Sequence, residues 1–273
     1  GRIYMLLKFE ESKDMQLVRK IAKDIDLIGG KTYLVGGLVR DAILGVESKD
    51  IDLEIHCITP EQLEDILSKY GEVETMGSSF AVLKLKGVDI DFAMPRIERK
   101  TGSKHNDFNV CVAPFIGTYK ASLRRDITVG AILYDLINEK LVDHFGGVED
   151  IDNKLIKHVN KDTFIEDPLR VFRVCQFASR FGFSVATETK ILCSDMDVSD
   201  ISKERIYMEL EKALSKSKKP SKFFCLLKEI NKLKPFFNEL EDLSEDDFNN
   251  LMDNLDNLKI KNIDSFSKMN LNT

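Results

Sequence analysis

The sequence predicts an α+β protein in which a small mixed β-sheet head precedes an all-helical region. Two patterns indicate this class. Short β-branched runs alternate with helical stretches from Lys31 to Asp143, and four or five helical segments follow after about Phe164, where strand-like runs cease. At 273 residues, with 43% hydrophobic side chains, the chain is long enough for two folded domains.

The individual elements follow from local patterns. Apolar residues at helical spacing predict amphipathic helices, and a proline suits the first turn of one of them. β-branched and alternating runs predict strands. The predicted helices are 5–28, 60–70 and 165–181, and the predicted strands are 32–35, 50–56, 72–76, 80–86 and 88–93.

Charge is distributed unevenly along the chain. The net charge of −6 equals that of residues 236–273, which carry nine acids and three lysines. Residues 202–234 carry ten Lys and Arg against four Glu. A basic helical segment can hold an RNA backbone, although a solvated helix surface explains the same composition equally well.

The cysteines and the hydropathy pattern limit the cellular setting. The five cysteines show no paired spacing, so neither a zinc site nor a disulfide framework is predicted, and we expect a reducing cytoplasm. The sequence has no apolar run of transmembrane length and no basic-then-apolar leader. We therefore expect no membrane partner.

The most informative motif is YLVGGLVRD at residues 33–41, followed by Asp50-Ile51-Asp52. A strand that ends in Gly36-Gly37 before a helix lets the backbone approach an anion, and the helix start offers free N–H groups. On an extended strand Asp50 and Asp52 share one face, where two carboxylates repel each other unless a divalent cation such as Mg²⁺ joins them. A phosphate-binding turn beside a magnesium site predicts an enzyme of nucleotidyl transfer.

Three further motifs are compatible with this chemistry. Asp89 and Asp91 could add a third carboxylate for the metals or polarise the attacking hydroxyl, but an edge strand with solvated acids is the simpler interpretation. Arg124-Arg125-Asp126, placed before an expected apolar helix, suits a triphosphate and a ribose hydroxyl, and a buried ion pair would have the same sequence. Residues 143–147, DHFGG, indicate only a loop after a strand.

The predicted helix 165–181 begins with Glu166 and Asp167, and Arg170 and Arg173 follow at spacings of three. Asp167 and Arg170 would share a helix face one turn apart. Spacing alone favours an ordinary salt bridge near a helix start. The alternative is a donor and acceptor pair that reads the edge of a nucleotide base.

These motifs, in this order, resemble the class II tRNA nucleotidyltransferase family, the CCA-adding enzymes, with bacterial poly(A) polymerases as close relatives. The resemblance rests on GGLVRD, DID, RRDIT, HFGG and EDPLRVFRVCQFASRFGF, and it covers roughly residues 31–240. Residues 98–103 and 204–209 also resemble the bacterial CCA-adding type. The resemblance implies a nucleotidyltransferase head with its N-terminal helix (1–150), a helical neck that binds nucleotide and RNA (151–240) and an acidic helical body or tail segment (241–273).

The resemblance also implies the roles of individual residues. Asp50 and Asp52 would be the catalytic pair that binds two Mg²⁺ ions, while the RNA 3′-hydroxyl attacks the α-phosphorus and pyrophosphate leaves. Residues 96–115 would form a flexible loop that helps switch between CTP and ATP. Asp167 and Arg170 would read the amino group and adjacent acceptor that CTP and ATP share. The expected nucleotide-binding residues are Gly36, Gly37, Arg40, Arg124, Arg125, Asp126, Asp167, Arg170 and Arg173.

The sequence thus predicts an enzyme that adds CCA to tRNA 3′ ends from CTP and ATP without a nucleic-acid template. The alternatives are an A-adding, CC-adding or poly(A)-tailing relative, a small-molecule nucleotidyltransferase, and a non-catalytic RNA-binding protein on the same scaffold. The intact Asp50 and Asp52 pair opposes the last of these.

Two departures from the family pattern bear on this prediction. Gly130 stands where the family usually has Asn, so we expect retained chemistry with altered nucleotide handling. An acidic, Asn-rich segment that ends at Thr273 stands where the family continues through longer body and tail regions. We expect a weaker grip on tRNA from the shorter segment, since fewer phosphates can be neutralised.

Overall fold

The structure is a computed structural model that describes residues 7–76, 81–100 and 108–270. Tertiary contacts divide the chain into two compact units, Gly1–Glu149 and Asp150–Thr273. The first unit combines a β-sheet with helices, and the second is mainly helical. The predicted α+β class is therefore confirmed.

Strands and helices alternate in the first unit, and helices predominate in the second. The strands are β1 (Lys31–Leu34), β2 (Asp52–His56), β3 (Val73–Met76), β4 (Val82–Leu85), β5 (Asp91–Ala93), β6 (Arg96–Lys100), β7 (Phe108–Val112), β8 (Leu133–Asp135), β9 (Lys140–Val142), β10 (Leu155–Ile156) and β11 (Ser184–Val185). The helices are α1 (Lys13–Leu27), α2 (Gly37–Leu44), α3 (Pro60–Ser68), α4 (Thr118–Ser122), α5 (Gly147–Asp152), α6 (Lys161–Phe164), α7 (Arg170–Phe181), α8 (Thr187–Asp195), α9 (Lys203–Lys216), α10 (Ser221–Glu229), α11 (Asn238–Glu241) and α12 (Glu245–Asn270).

The main sheet of the first unit has the strand order β3-β4-β5-β2-β1-β8-β9. β2 and β5 run parallel, and the other neighbouring pairs run antiparallel. Leu34 pairs with Leu53, and Asp52 pairs with Asp91. Because β1 ends where β2 begins, the glycine turn after β1 lies next to Asp52.

The first helix is shorter than predicted. Ser12 accepts a hydrogen bond from the Met15 amide at 3.1 Å, so it caps α1, and residues 7–12 lie outside the helix. The apolar face of α1 is buried and packs on β1 and α3. This packing closes one side of the sheet and uses the apolar spacing that predicted the helix.

Several strands escaped the sequence analysis. The strands β6 to β8 were not predicted, and β9 was indicated only as a strand before the DHFGG loop. β8 and β9 have three residues each, which is too short for a clear alternating pattern. The expectation that strands cease after Phe164 is also wrong, because Ser184–Val185 pairs in parallel with Leu155–Ile156. Gly182, at φ +68°, ends α7 and turns the chain into this short strand.

The second unit is held together by α7, which packs against both α9 and α10. Val171, Phe172 and Ala178 of α7 are fully buried, as is Phe223 of α10. At Phe172 and Phe223, burial of each large side chain contributes about 1.5–3 kcal/mol to stability.

The start of α10 is capped by a side chain from another helix. Asp256 of α12 accepts hydrogen bonds from the Ser221 amide at 3.0 Å and from the Ser221 hydroxyl at 2.6 Å. A carboxylate at this position satisfies a free amide and favours the positive end of the helix dipole. The contact thereby ties α12 to α10.

We expect Asp256→Ala to lower the free energy of unfolding by about 1 kcal/mol, the usual effect of removing a helix cap. Asp253→Ala removes an exposed acid from the same helix and serves as the control. Urea denaturation of both variants tests the prediction. Equal stability of the two variants would show that the Ser221 contact contributes nothing.

Two further features of the chain are its cysteines and the hydropathy of its helices. All five cysteines are free. In the described part of the chain, no helix has both the length and the apolar character needed to cross a membrane.

Candidate active site

The glycine turn after β1 approaches a carboxylate closely. Gly36 has φ +68° and precedes the first residue of α2, Gly37. A Cβ atom at Gly36 would lie 3.4 Å from Asp52 Oδ2. Since a side chain would also be strained at this φ, glycine allows the helix start to lie beside Asp52.

The two predicted catalytic acids occupy different backbone settings. Asp52 is the first residue of β2, whereas Asp50 precedes the strand, so the predicted strand 50–56 begins two residues late. The alternation argument therefore does not place Asp50 on the face of Asp52. Both residues are accessible to solvent, and the Asp52 carboxyl is partly covered by its neighbours.

Several charged side chains near Asp52 affect its pKa. Partial burial raises the pKa above its ordinary value, and the negative charges of Asp50 and Asp91 raise it further. The Arg125 cation opposes these effects without cancelling them. The ionised form of Asp52 is thus disfavoured in the folded chain, and a bound cation would relieve this cost.

Neither Asp89 nor Asp91 is placed as a third carboxylate ligand beside Asp50 and Asp52, because both lie near the Lys84 ammonium group. Asp91 lies beside Asp52 in the register, but its carboxylate is 3.1 Å from Lys84 Nζ. Asp89 is fully exposed and 4.0 Å from the same ammonium group. Across residues 7–76, 81–100 and 108–270, no group of three or more Asp, Glu, His or Cys side chains could hold a metal ion.

Arg125 contacts Glu54 of β2, which in turn contacts His56, and the sequence analysis missed this series of contacts. Its guanidinium lies 3.3 Å from Glu54 Oε2, and Glu54 Oε1 lies 2.7 Å from His56 Nε2. Burial of Glu54 acts to raise its pKa, but the contacts with His56 and Arg125 outweigh burial and lower it. Glu54 follows Asp52 by two residues on the same strand, so side-chain alternation could have identified it.

Arg124 and Asp126 make local contacts on either side of Arg125. Arg124 lies 3.0 Å from Glu98 Oε1 on the β6–β7 ribbon. Asp126 Oδ1 accepts a hydrogen bond from the Ile127 amide at 2.9 Å. The apolar helix expected after this motif is wrong: Thr128–Gly130 forms a 3-10 turn, and the chain continues into β8.

The expected flexible loop 96–115 contains the strands β6 and β7, which pair as a two-stranded ribbon on either side of residues 101–107. Arg96 pairs with Val112 and Glu98 with Val110 in an antiparallel register. The central residues 101–107 of that loop, including Thr101-Gly102-Ser103 of the family-like motif, lie outside the described residues. The role of the loop in nucleotide choice stays a prediction.

Arg40 is held inside the first unit. It is 6% exposed, and its Nε lies 3.1 Å from Asp41 Oδ1. Its Nη2 lies 3.1 Å from the position that a Cβ would take at Gly37. The buried Arg40 side chain therefore packs against Gly37 in the first turn of α2. Its positive charge lies close to the glycine turn.

The acid of the predicted base-reading pair lies outside the helix, which contradicts the predicted helix 165–181. α7 begins at Arg170, and Asp167 Oδ1 accepts a hydrogen bond from the Leu169 amide at 3.1 Å. Pro168 explains the late start, since it disfavours the helical conformation at Asp167. Asp167 also lies 3.1 Å from Arg205 Nη2, and Arg170 donates to the Thr163 carbonyl.

Arg173 joins a network around a buried acid. Glu209 on α9 is 3% exposed and accepts a hydrogen bond from Gln176 Nε2 at 2.8 Å. Arg173 Nη1 is 3.5 Å from Glu209 Oε1, and the Arg173 guanidinium lies 5.0 Å from the centre of the Phe177 ring. These contacts fix Arg173 on α7, and the sequence spacing gave no sign of Glu209 as its partner.

The DHFGG motif forms more than an open loop. Asp143 accepts hydrogen bonds from the amides of Gly147 at 2.8 Å and Val148 at 3.0 Å, at the start of α5. A Cβ atom at Gly147 would lie 2.3 Å from the Thr128 carbonyl oxygen. This loop therefore packs directly on the turn that follows Arg125 and Asp126.

A mixed sheet that carries a glycine turn beside paired aspartates defines the class of nucleotidyltransferase head domains. Residues 32–157 match the family of the poly A polymerase head domain, and residues 182–243 match the family described as the probable RNA and SrmB- binding site of polymerase A. Residues 32–157 therefore belong to the poly A polymerase head domain family, and the chain is homologous to class II CCA-adding enzymes.

Individual relatives support this assignment. The chain is 39% identical over 220 residues to the multifunctional CCA protein of Shewanella denitrificans, a match that covers 78% of this chain and 51% of the relative. It resembles the Thermotoga maritima CCA-adding enzyme complexed with tRNA-CCA, with a TM-score of 0.67, 26% identity and coverage of 83% of this chain and 53% of that chain.

A second solved structure gives the same relationship. The Bacillus stearothermophilus CCA-adding enzyme in complex with CTP has a TM-score of 0.67 and 27% identity, over 81% of this chain and 53% of that chain. The chain thus spans about half the length of the relatives that it matches.

Proposed function

We propose that the chain is a template-independent tRNA nucleotidyltransferase that adds CCA to tRNA 3′ ends from CTP and ATP. The observation that carries the proposal is the approach of the Gly36 turn to the Asp52 carboxylate, with Asp50 and Arg125 acting on the same group. Relatives described as CCA-adding enzymes, in complexes with tRNA, CTP and ATP, support the choice of substrates.

Asp50 and Asp52 fit a site for Mg²⁺. Both carboxylates are hard oxygen ligands. Partial burial raises the pKa of Asp52, the negative charges of Asp50 and Asp91 raise it further, and a divalent cation would favour the ionised form. Mg²⁺ keeps several waters and binds through one or two carboxylates plus substrate phosphates, so a third protein ligand is not required. When bound there, Mg²⁺ would supply charge neutralisation at the phosphates and acidify the attacking hydroxyl.

The chain's own groups position the nucleotide in this proposal. The turn at Gly36 and Gly37 offers backbone N–H groups to the triphosphate, with Arg40 beneath it. Arg125, oriented by Glu54, lies beside Asp52, where a phosphate would carry negative charge. Arg124 and Asp126 flank it and complete the expected phosphate and ribose contacts.

Asp167 and Arg170 read the base edge in this proposal, with Arg173 as a further nucleotide contact. A carboxylate accepts from the exocyclic amino group of cytosine or adenine, and a guanidinium donates to the adjacent ring nitrogen. The Leu169 amide orients Asp167, and the Thr163 carbonyl orients Arg170. Nucleotide selection then needs no template strand.

Poly(A) tailing is the second candidate, because the matching head and RNA-binding families are both described by polymerase A. The two candidates share the same chemistry and differ in when addition stops.

We place the protein in a reducing cytoplasm, where its five free cysteines stay reduced.

The acceptor class can be tested with α-labelled CTP and ATP, supplied with Mg²⁺ to a tRNA transcript or to an aminoglycoside. We expect the label in RNA and none in the small acceptor. Label in the small acceptor alone would overturn the proposal, and label in neither would show that the described site does not support transfer.

We expect Gly130→Asn to be tolerated and to alter nucleotide handling. A Cβ at Gly130 would meet only the Ile127 side chain at 3.7 Å, which is an ordinary contact. Replacing glycine without strain stabilises a chain by about 0.4–1 kcal/mol. The thermal midpoint should rise slightly, and the KM for CTP and ATP should fall, because the added amide can make a polar contact with the nucleotide. A lower thermal midpoint or an unchanged KM contradicts this prediction.

A further inference from the structure

An exposed aromatic cluster lies in the first unit, at one end of the arginine motif. Tyr119 of α4 is 52% exposed, and its ring stacks on Phe145 with 5.3 Å between ring centres and 29° between planes. His144 packs edge-on against Tyr119 at 5.4 Å. No step in the proposed mechanism uses these three side chains.

Hydrogen bonds on both sides hold the loop that carries His144 and Phe145 in place. The Thr118 hydroxyl lies 2.8 Å from His144 Nε2, so the base of α4 holds the loop after β9. Asp143 fixes the other end of that loop through the Gly147 amide. Tyr119 is therefore supported from below by Phe145 and from the side by His144, while half of its surface faces solvent.

The cation next to Tyr119 in the chain suits a polyanion. Residues 118–125 contain Lys120, Arg124 and Arg125 and no acid, but Arg124 pairs with Glu98 and Arg125 with Glu54, so the relevant cation is Lys120. Lys120 is exposed, and the Arg125 amide donates to the carbonyl of Ser122, the last residue of α4. The aromatic ring and the arginines thus belong to one continuous segment, which ends at the candidate active site.

We propose that Tyr119 is a stacking platform for an unpaired base of the RNA acceptor, with Lys120 contacting the adjoining phosphate. An exposed ring in a fixed orientation beside an exposed lysine is an arrangement that can bind single-stranded RNA, because every base offers a π-face. This inference rests on the proposed function, since it identifies where that function's RNA strand is held.

The test uses an RNA hairpin with a single-stranded 3′ extension in which 2-aminopurine replaces one base at a time. Stacking on Tyr119 should quench the fluorescence of one extension position in the unaltered protein. Tyr119→Leu should abolish that quench and weaken RNA binding about tenfold. Tyr119→Phe, which keeps the ring, should preserve both.

Three results would overturn the platform: equal affinity and quench in all three proteins, a loss of affinity with the quench retained, or a raised KM for free nucleotide with RNA affinity unchanged. The last would assign the ring to the incoming base. Should Tyr119→Leu fail to fold by circular dichroism, Tyr119→Trp replaces it. The larger ring should deepen the quench, and an unchanged quench would overturn the proposal.

The two proposals fail separately in this design. A Tyr119-dependent quench without nucleotide incorporation would support the platform and contradict the proposed function. Incorporation into RNA without a Tyr119-dependent quench would support the function and overturn the platform.

Discussion

Asp52→Asn is expected to lower nucleotide incorporation by about 1,000-fold, because the proposed role of Asp52 is to bind Mg²⁺ and loss of that ligand would remove several kcal/mol of transition-state stabilisation. The same substitution should raise the thermal midpoint at neutral pH. Asp52 is disfavoured as an anion in the folded chain, since partial burial, Asp50 and Asp91 together outweigh the attraction of Arg125. Asn keeps the shape of the side chain and removes the charge.

The pH dependence of the stability gain has a defined sign. A carboxyl whose pKa is raised on folding contributes stability below its unfolded pKa, near 4, and loses that contribution as pH rises through the folded pKa. The variant and the unaltered chain should therefore have similar stability at acidic pH, where Asp52 is protonated. The advantage of Asp52→Asn should grow as pH rises toward neutrality.

Mg²⁺ provides a readout that is independent of activity. Addition of Mg²⁺ should raise the thermal midpoint of the unaltered chain, because binding to the native state stabilises it, and should have little effect on Asp52→Asn. Asp89→Asn removes a fully exposed acid from the segment between β4 and β5 and is the matched control. Full activity of Asp52→Asn, or a Mg²⁺ response equal to that of the control, would refute the assignment of Asp52.

Gly147→Ala is expected to destabilise the first unit by about 2–3 kcal/mol, the upper part of the range for overpacked sites. The added methyl group would lie 2.3 Å from the Thr128 carbonyl oxygen and 2.7 Å from Ile132 Cγ1. A backbone oxygen cannot rotate away as a side chain can, so the loop or the 3-10 turn has to shift. Activity should fall as well, since Thr128 is two residues from Asp126.

Gly71→Ala is the control for this substitution, because its Cβ would meet only the Leu85 side chain at 3.8 Å. Circular dichroism during thermal denaturation compares the two variants. A Gly147→Ala midpoint equal to that of Gly71→Ala would show that the close contact with Thr128 does not constrain the fold.

The sequence predicts β1, β3 and β4 closely, and it predicts the turn at Gly36. β2 begins two residues and β5 three residues after the predicted start. Prediction from the sequence fails where tertiary contacts decide the structure. Asp50 precedes its strand, and Thr128 begins a 3-10 turn instead of an apolar helix. The Arg125–Glu54 pair and the Arg173–Glu209 pair join residues 71 and 36 positions apart, and local spacing cannot show such contacts.

The DHFGG motif shows the same limit. Its glycines indicate a turn in any context, but the need for glycine at 147 arises from Thr128, which lies on a different segment of the chain. Likewise, Asp167 and Arg170 are three residues apart, yet Asp167 lies outside the helix and contacts Arg205 from α9. Their roles in reading the base remain predictions.

The measurement that tests the central claim most directly is nucleotide addition to three tRNA transcripts that lack CCA, end in C or end in CC. Each receives CTP, ATP or both with Mg²⁺, and products are sized to single nucleotides. We predict that addition stops at CCA on all three transcripts when both nucleotides are present. An unbounded A tail, addition of only CC or only A, or no incorporation on any transcript would contradict the account.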